Sequence, residues 1–254
     1  MAKKYKDAYG DRMKNYEAVA DTKLMKRCPV ILRIDGRAFH TFTRGFNKPF
    51  DSIFATTMQM TMKSLCENIQ GCVLGYVQSD EISLVLCDYQ TLETSAWFDY
   101  RLEKICSLSA SMATRFFNKY FIENVEKANS EGLDPEMYQK YKRKFFTADF
   151  DSRAFNVPKD DVCNAILWRQ KDAEKNSIQG LAQSLYSQKE ISGISTKALQ
   201  DKMFSEKGVN WNDIPTMYKR GSACIKNQDG KWFIDMNMPI LSQNRDYVEN
   251  RINF

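Results

Sequence analysis

The chain has 254 residues, 43% of them hydrophobic, and a formal charge of +5 from 37 basic and 32 acidic side chains. That length supports a substantial core and one catalytic domain with elaborations, near the upper end of single-domain size. The charge is too mild to name a partner, although a local cluster of Lys and Arg would still neutralise phosphates. Seven cysteines, at 28, 66, 72, 87, 106, 163 and 224, form no Cys-x-x-Cys pair. This argues against disulfides and structural zinc and for free thiols in a reducing compartment. The N-terminal Met-Ala-Lys-Lys-Tyr-Lys-Asp leads into no apolar region of signal-peptide length, and no run approaches a membrane span. A cytoplasmic protein is therefore expected.

In chain order, Tyr5, Tyr9, Met13, Tyr16 and Val19 recur at helical spacing and predict an amphipathic helix over 5–19, weakened by Gly10. Pro29 to Ile34 reads as a buried strand, followed by a polar loop from Thr41 to Pro49. A helix over 51–69 is signalled by Asp51 or Ser52 as cap and by Ile53, Phe54, Met58, Met62, Leu65 and Ile69 along one face, with Gly71 as its stop. Residues 72–87 read as a hairpin around Gln78-Ser79-Asp80-Glu81. Then come a helix over roughly 93–120, a lysine-rich exposed excursion over 119–144 and a fourth strand over 146–157. The remainder predicts helices over about 160–186 and 196–204, and a short strand pair near 221–235. Strand, helix, strand, strand, helix, strand is the split βαβ order. An α+β fold follows, with an antiparallel ferredoxin-like sheet backed by helices: a core over about 28–158 and a mainly helical part over about 159–254.

Two apolar runs deliver acidic groups to strand ends: Val30 to Ile34 ends in Asp35-Gly36, and Gly75 to Val77 leads into Gln78-Ser79-Asp80-Glu81. If the two ends converge, two carboxylates provide the hard oxygen ligands that Mg²⁺ and a bound phosphate need. Gly36 allows close backbone approach, and its carbonyl is a further candidate ligand. Either pair alone favours the plainer reading, a strand-end turn or a solvated hairpin tip; the two together favour function. Arg37, His40, Arg44 and Lys48 follow as phosphate partners, with a solvated basic loop as the alternative and, for Arg44, an equal one. His40 is the sole histidine, which excludes multi-histidine metal sites, and the chain contains neither a P-loop nor a Gly-x-Gly-x-x-Gly. On the 168–183 helix, Arg169, Asp172 and Asn176 share a stripe, for which a plain solvated face carries more weight than a ligand-facing one. Lys219-Arg220-Gly221 is a basic turn of weak specificity.

RIDGRAFHTF (33–42), KPFD (48–51), GYVQSDEISLVL (75–86), WRQKDAEKNSI (168–178) and FSEKGVNWNDIPTMYKRG (204–221) together resemble the tRNA-histidine guanylyltransferase family. They look most like its bacterial and archaeal-type branch. The resemblance implies a polymerase-palm-like core, two Mg²⁺ ions, ATP, GTP and other nucleoside triphosphates as substrates, and addition to a tRNA 5′ end in the 3′–5′ direction. It also implies a homo-oligomer, a tetramer. Carried over motif by motif, it assigns Asp35, the Gly36 carbonyl and Asp80 to metal, and Glu81 less securely. Asp35, Gly36, Arg37, Ala38, Phe39, His40, Lys48, Ser79, Asp80 and Asn176 fall to the nucleotide. Arg44, Arg169, Lys219 and Arg220 are weaker phosphate or RNA contacts. Eukaryotic members carry His-Ile-Asn-Asn where this chain has Glu174-Lys175-Asn176-Ser177. That departure shifts the expected activity from single guanosine addition on tRNA-His toward templated repair of truncated 5′ ends. The alternatives are untemplated guanosine addition, a palm-fold nucleotide cyclase and a noncatalytic RNA-binding protein.

Overall fold

The computed structural model describes residues 7–254. The first helix, α1 (Ala8–Ala18), is capped by Asp7, whose carboxylate accepts from the Gly10 N–H at 2.9 Å; Tyr5 lies outside the described residues. Its apolar stripe does not reach a core, since no residue of α1 is buried and Tyr9 is 75% exposed. Strand β1 (Val30–Gly36) leads into a short helix, α2 (Phe39–Phe42). The stretch expected as a polar loop is instead pinned by buried rings, Phe42 and Phe46, beside Phe39. The capping expected at the next helix is present: in α3 (Ser52–Asn68), Asp51 accepts from the Phe54 N–H at 2.8 Å.

Strands β2 (Cys72–Gln78) and β3 (Glu81–Leu86) form the hairpin, with Ser79-Asp80 as its two-residue turn and Ser79 in the left-handed region at φ 49°. Helix α4 (Leu102–Ser130) starts later than the sequence suggests because Phe98, Asp99 and Tyr100 all have positive φ. It also runs further, and α5 (Pro135–Lys142) follows it. The lysine-rich region expected as an excursion thus packs as two helices, with Phe121, Val125 and Tyr141 fully buried and the lysines outside. After β4 (Phe150–Asn156) come α6 (Val162–Leu185), α7 (Gln188–Ile191), α8 (Thr196–Lys207), α9 (Thr216–Arg220), β5 (Ser222–Lys226), β6 (Trp232–Asp235) and α10 (Asp246–Glu249).

The six strands form one sheet in the order β4-β1-β3-β2-β5-β6, with every neighbouring pair antiparallel. Alternation along the strands builds two cores. Val30, Leu32, Ile34, Ile82 and Leu84 face α3 and α4 together with the rings of Phe39, Phe117, Phe121 and Phe150. Ile31, Leu74, Tyr76 and Val85 face the first half of α6 and the C-terminal segment. Each fully buried Leu, Ile or Phe adds about 1.5–3 kcal/mol. Covered on both faces and paired on both edges, β3 is buried along its whole length, which explains its uninterrupted apolar run. A third cluster joins the far half of α6 to α7 and α8. All seven cysteines are free thiols, and among the described residues no helix is long and apolar enough to cross a membrane.

Candidate active site

Adjacency of β1 and β3 brings the two acidic strand ends together. Asp35 pairs in register with Glu81 on β3 and with Asp151 on β4, so three carboxylate-bearing residues form one row across the sheet. The Gly36 N–H donates to the Asp80 carbonyl at 3.0 Å, tying the end of β1 to the hairpin turn. Since Ile34 and Ile82 face α3 and α4, Asp35 and Glu81 lie on the α6 side. Glycine is required at 36 because a Cβ there would sit 2.4 Å from the Phe39 ring, which closes the aromatic core beneath the turn.

Acids outnumber bases around Asp35. Burial, followed by the charges of Asp80, Glu81 and Asp151, pushes the Asp35 carboxyl up to about 6, with Arg153 opposing. Burial also raises Asp80, against hydrogen bonds from its own backbone and the Ser79 hydroxyl and the nearby charge of His40. Such a site favours a cation. Among the described residues, no group of three or more His, Cys, Asp or Glu side chains is drawn tightly enough to hold a metal unaided. Asp35, Asp80 and the Gly36 carbonyl nevertheless fit Mg²⁺, which binds through one or two carboxylates and completes its shell with water and substrate phosphate.

Asp80 also lines a cavity of about 370 Å³, which gathers His40 and Lys48, Ser79, and Asn176 from three separate segments. Lys48 precedes a cis proline at the cavity wall. Phe50 and Tyr218, which also line it, stack at 4.7 Å between centroids and 13° between planes. A Cβ on Gly221, which has φ 84°, would sit 2.4 Å from the Val77 carbonyl oxygen, so glycine lets the chain after α9 pack against β2, and the Tyr76 hydroxyl donates to the Arg220 carbonyl at 2.6 Å. The Phe50–Tyr218 pair carried no sequence signal, because its partners lie far apart in the chain.

Other candidate residues lie elsewhere. Arg37 is exposed, 3.6 Å from Asp149, and Arg44 is exposed outside the cavity. Ala38, at φ 55°, begins α2, and Phe39 is 3% exposed among aromatic rings with one edge on the cavity. Glu81 accepts from Arg169 Nε at 2.6 Å, and Arg169 also meets Asp172 at 3.2 Å. Lys219 does not face outward as a phosphate contact would: it is 7% exposed, with its ammonium donating to the Asn212 carbonyl and lying over the Trp211 ring.

A family model for tRNA-histidine guanylyltransferase matches residues 10–158. The chain belongs to the tRNA-histidine guanylyltransferase family. Among solved structures of the family, a bacterial tRNA(His) guanylyltransferase-like protein in complex with ATP is 44% identical, with a TM-score of 0.86 covering 97% of this chain and 100% of that one. A second bacterial guanylyltransferase-like protein, in complex with GTP, is 40% identical with a TM-score of 0.77, at 97% and 100% coverage. The tRNA(His) guanylyltransferase of Saccharomyces cerevisiae is 28% identical over 80% of this chain and 84% of its own length. The chain is thus a nucleotidyltransferase of this family, with a mixed fold of helices and antiparallel sheet. On α6, Glu174 pairs with Arg220 at 2.8 Å, and Ser177 accepts from Trp211 Nε1–H at 2.9 Å.

Proposed function

We propose that this enzyme extends the 5′ end of cytoplasmic tRNA in the 3′–5′ direction, repairing truncated ends according to the opposing template base. The convergence of Asp35 and Asp80 beside a cavity with a stacked aromatic pair carries this reading. In the activation step, a 5′-phosphate oxygen of the RNA attacks the α-phosphorus of ATP or GTP, and pyrophosphate leaves. In the transfer step, the 3′-hydroxyl of an incoming nucleoside triphosphate attacks the 5′-phosphorus of the activated RNA. A new phosphodiester forms, the bond to the nucleoside monophosphate breaks, and the hydroxyl proton is released.

Asp35, the Gly36 carbonyl and Asp80 are the groups that hold Mg²⁺, two ions in a palm-like core. When bound, the metal supplies a lowered hydroxyl pKa and neutralises phosphate charge. The protein's own work is positioning: Lys48 and His40 meet triphosphate oxygens, Ser79 and Asn176 donate hydrogen bonds, and the Phe50–Tyr218 side of the cavity receives the base. Glu81, whose carboxylate is engaged by Arg169, orients the sheet end. Glu174, closed by Arg220, presents no free imidazole for the guanosine-only reaction, which favours templated addition. We further propose a homotetramer and a division into a core over about 28–158 and a helical part after it.

The test offers a 5′-monophosphorylated tRNA lacking its first nucleotide, together with ATP, Mg²⁺ and each labelled nucleoside triphosphate. Extension by the complementary nucleotide is expected. Asp35→Ala and Asp80→Ala should each lose about a thousandfold or more in rate, the scale of several kcal/mol of transition-state charge stabilisation. Wild-type protein that extends no tRNA, or alanine variants that extend it as well as wild type, would overturn the proposal.

A further inference from the structure

Two stretches of the chain carry no acidic residue at all: 36–50, with Arg37, Arg44 and Lys48, and 137–148, with Lys140, Lys142, Arg143 and Lys144. Together they hold seven cations, more than the formal +5 of the whole chain. Although far apart in sequence, they are fastened to each other. Lys144 Nζ donates to the Thr41 carbonyl at 3.0 Å, the Phe46 and Tyr141 rings stand 4.7 Å apart, and Tyr141 donates its hydroxyl to the buried Asp51 carboxylate at 2.5 Å. A Cβ built on Gly45 would lie 3.7 Å from Lys140 Cδ, so the backbone next to Arg44 borders α5.

The pattern differs from the other basic stretches. Lys63, Lys119, Lys127 and Lys202 each pair with a glutamate four residues on, which is how a helix solvates an ordinary charged face. Within the two acid-free stretches, the ion pairs among the described residues are Lys140 with Glu136 at 2.9 Å and Arg37 with Asp149 at 3.6 Å. Beside them Phe146 is 79% exposed, held at φ 61°. The segment then enters β4, where Phe150 pairs in register with Gly36, so the cationic surface adjoins the carboxylate row.

We infer that residues 36–50 and 137–148 form one docking surface for the phosphodiester backbone of RNA, with Arg44, Lys142 and Arg143 as its core. This rests on the proposed tRNA activity. A single triphosphate in the cavity accounts for Lys48 but not for Arg44, Lys142 and Arg143, which do not line it, whereas successive backbone phosphates do. A membrane surface fits poorly, because a lone phenylalanine supplies no apolar face. The same exposed ring, three residues after Arg143, suits stacking on an unpaired base.

The variant Arg44→Gln/Lys142→Gln/Arg143→Gln tests the surface against Arg44→Lys/Lys142→Arg/Arg143→Lys. Binding of 5′-phosphorylated tRNA is followed by fluorescence anisotropy across a salt series. The glutamine variant should bind about tenfold or more weakly near 0.1 M salt, with a log K against log[salt] slope shallower by about 2–3, since each lost phosphate contact removes roughly 0.9. Its KM for tRNA should rise while the thermal shift induced by ATP stays at the wild-type value. The charge-conserving variant should keep both affinity and slope. An unchanged slope in the glutamine variant, or equal losses in both variants, overturns the docking surface and leaves the nucleotidyltransferase proposal standing if wild type extends tRNA. Wild-type protein that binds no tRNA overturns both.

Discussion

The end of β1 and the neighbouring turns of α6 both concentrate charge, but they treat it in opposite ways. Where α6 meets the sheet the acids have their guanidiniums: Glu81 of β3 and Asp172 with Arg169, and Glu174 with Arg220. At the strand end, Asp35 is crowded by Asp80, Glu81 and Asp151 against the opposing charge of Arg153, which itself lies 3.7 Å from Asp151. The ion pairs on α6 fix a wall; Asp35 on β1 and Asp80 in the hairpin turn have no such guanidinium and are thereby ready for a cation. A structural cluster pairs its charges, whereas a binding site leaves some of them to the ligand.

The largest effect should come from opening the paired side. Arg169→Met leaves the Glu81 carboxylate, whose side chain is 10% exposed, without its partner. Chemical denaturation should show a loss of about 3 kcal/mol, and the double variant Arg169→Met/Glu81→Leu should recover much of it, because paired removal leaves no buried stranded charge, Asp172 being 40% exposed. If the single variant is as stable as wild type, the pair is not a wall.

Relieving the unpaired side should have a smaller effect of opposite sign. Between an unfolded carboxylate near 3.9 and the folded value of about 6, the native state binds the extra proton. Stability of the metal-free protein therefore falls as pH rises through that window, and the penalty is complete above it. Asp35→Asn removes the penalty: after discounting for partial solvent exposure, the variant should gain about 1 kcal/mol at pH 8 and nothing near pH 4. Millimolar Mg²⁺ with a nucleotide should stabilise wild type and not the variant. Thermal melts at the two pH values, with and without Mg²⁺ and ATP, check both statements.

The smallest effect sharpens the contrast by showing what an ordinary ion pair is worth here. Lys119→Ala breaks an exposed pair with Glu123 at 3.9 Å and should change stability by less than about 0.5 kcal/mol in the same denaturation assay.

Much of the frame is legible in local pattern. Asp51 capping α3, the β2–β3 hairpin with Asp80 in its turn, and Asp35 closing an apolar strand all follow from residue type and spacing, because caps, turns and strand ends are decided within a few residues. The same local view misjudged Phe42 and Phe46 as loop and the 119–144 region as an excursion, since polar neighbours hid apolar positions that only packing reveals.

By itself, then, the sequence determined the strand and helix order, the carboxylates at two strand ends and, through five spaced motifs, the family. Tertiary structure decided which charges meet. Antiparallel register set Asp35 opposite Glu81, and packing of α6 gave Glu81 to Arg169 and turned Lys219 inward. Tyr141, buried against Phe46 and Asp51, joined two acid-free stretches into a single cationic face. The reason is range: periodicity and capping act over a turn or two, whereas charge pairing depends on distances between distant segments that are fixed only when the core closes.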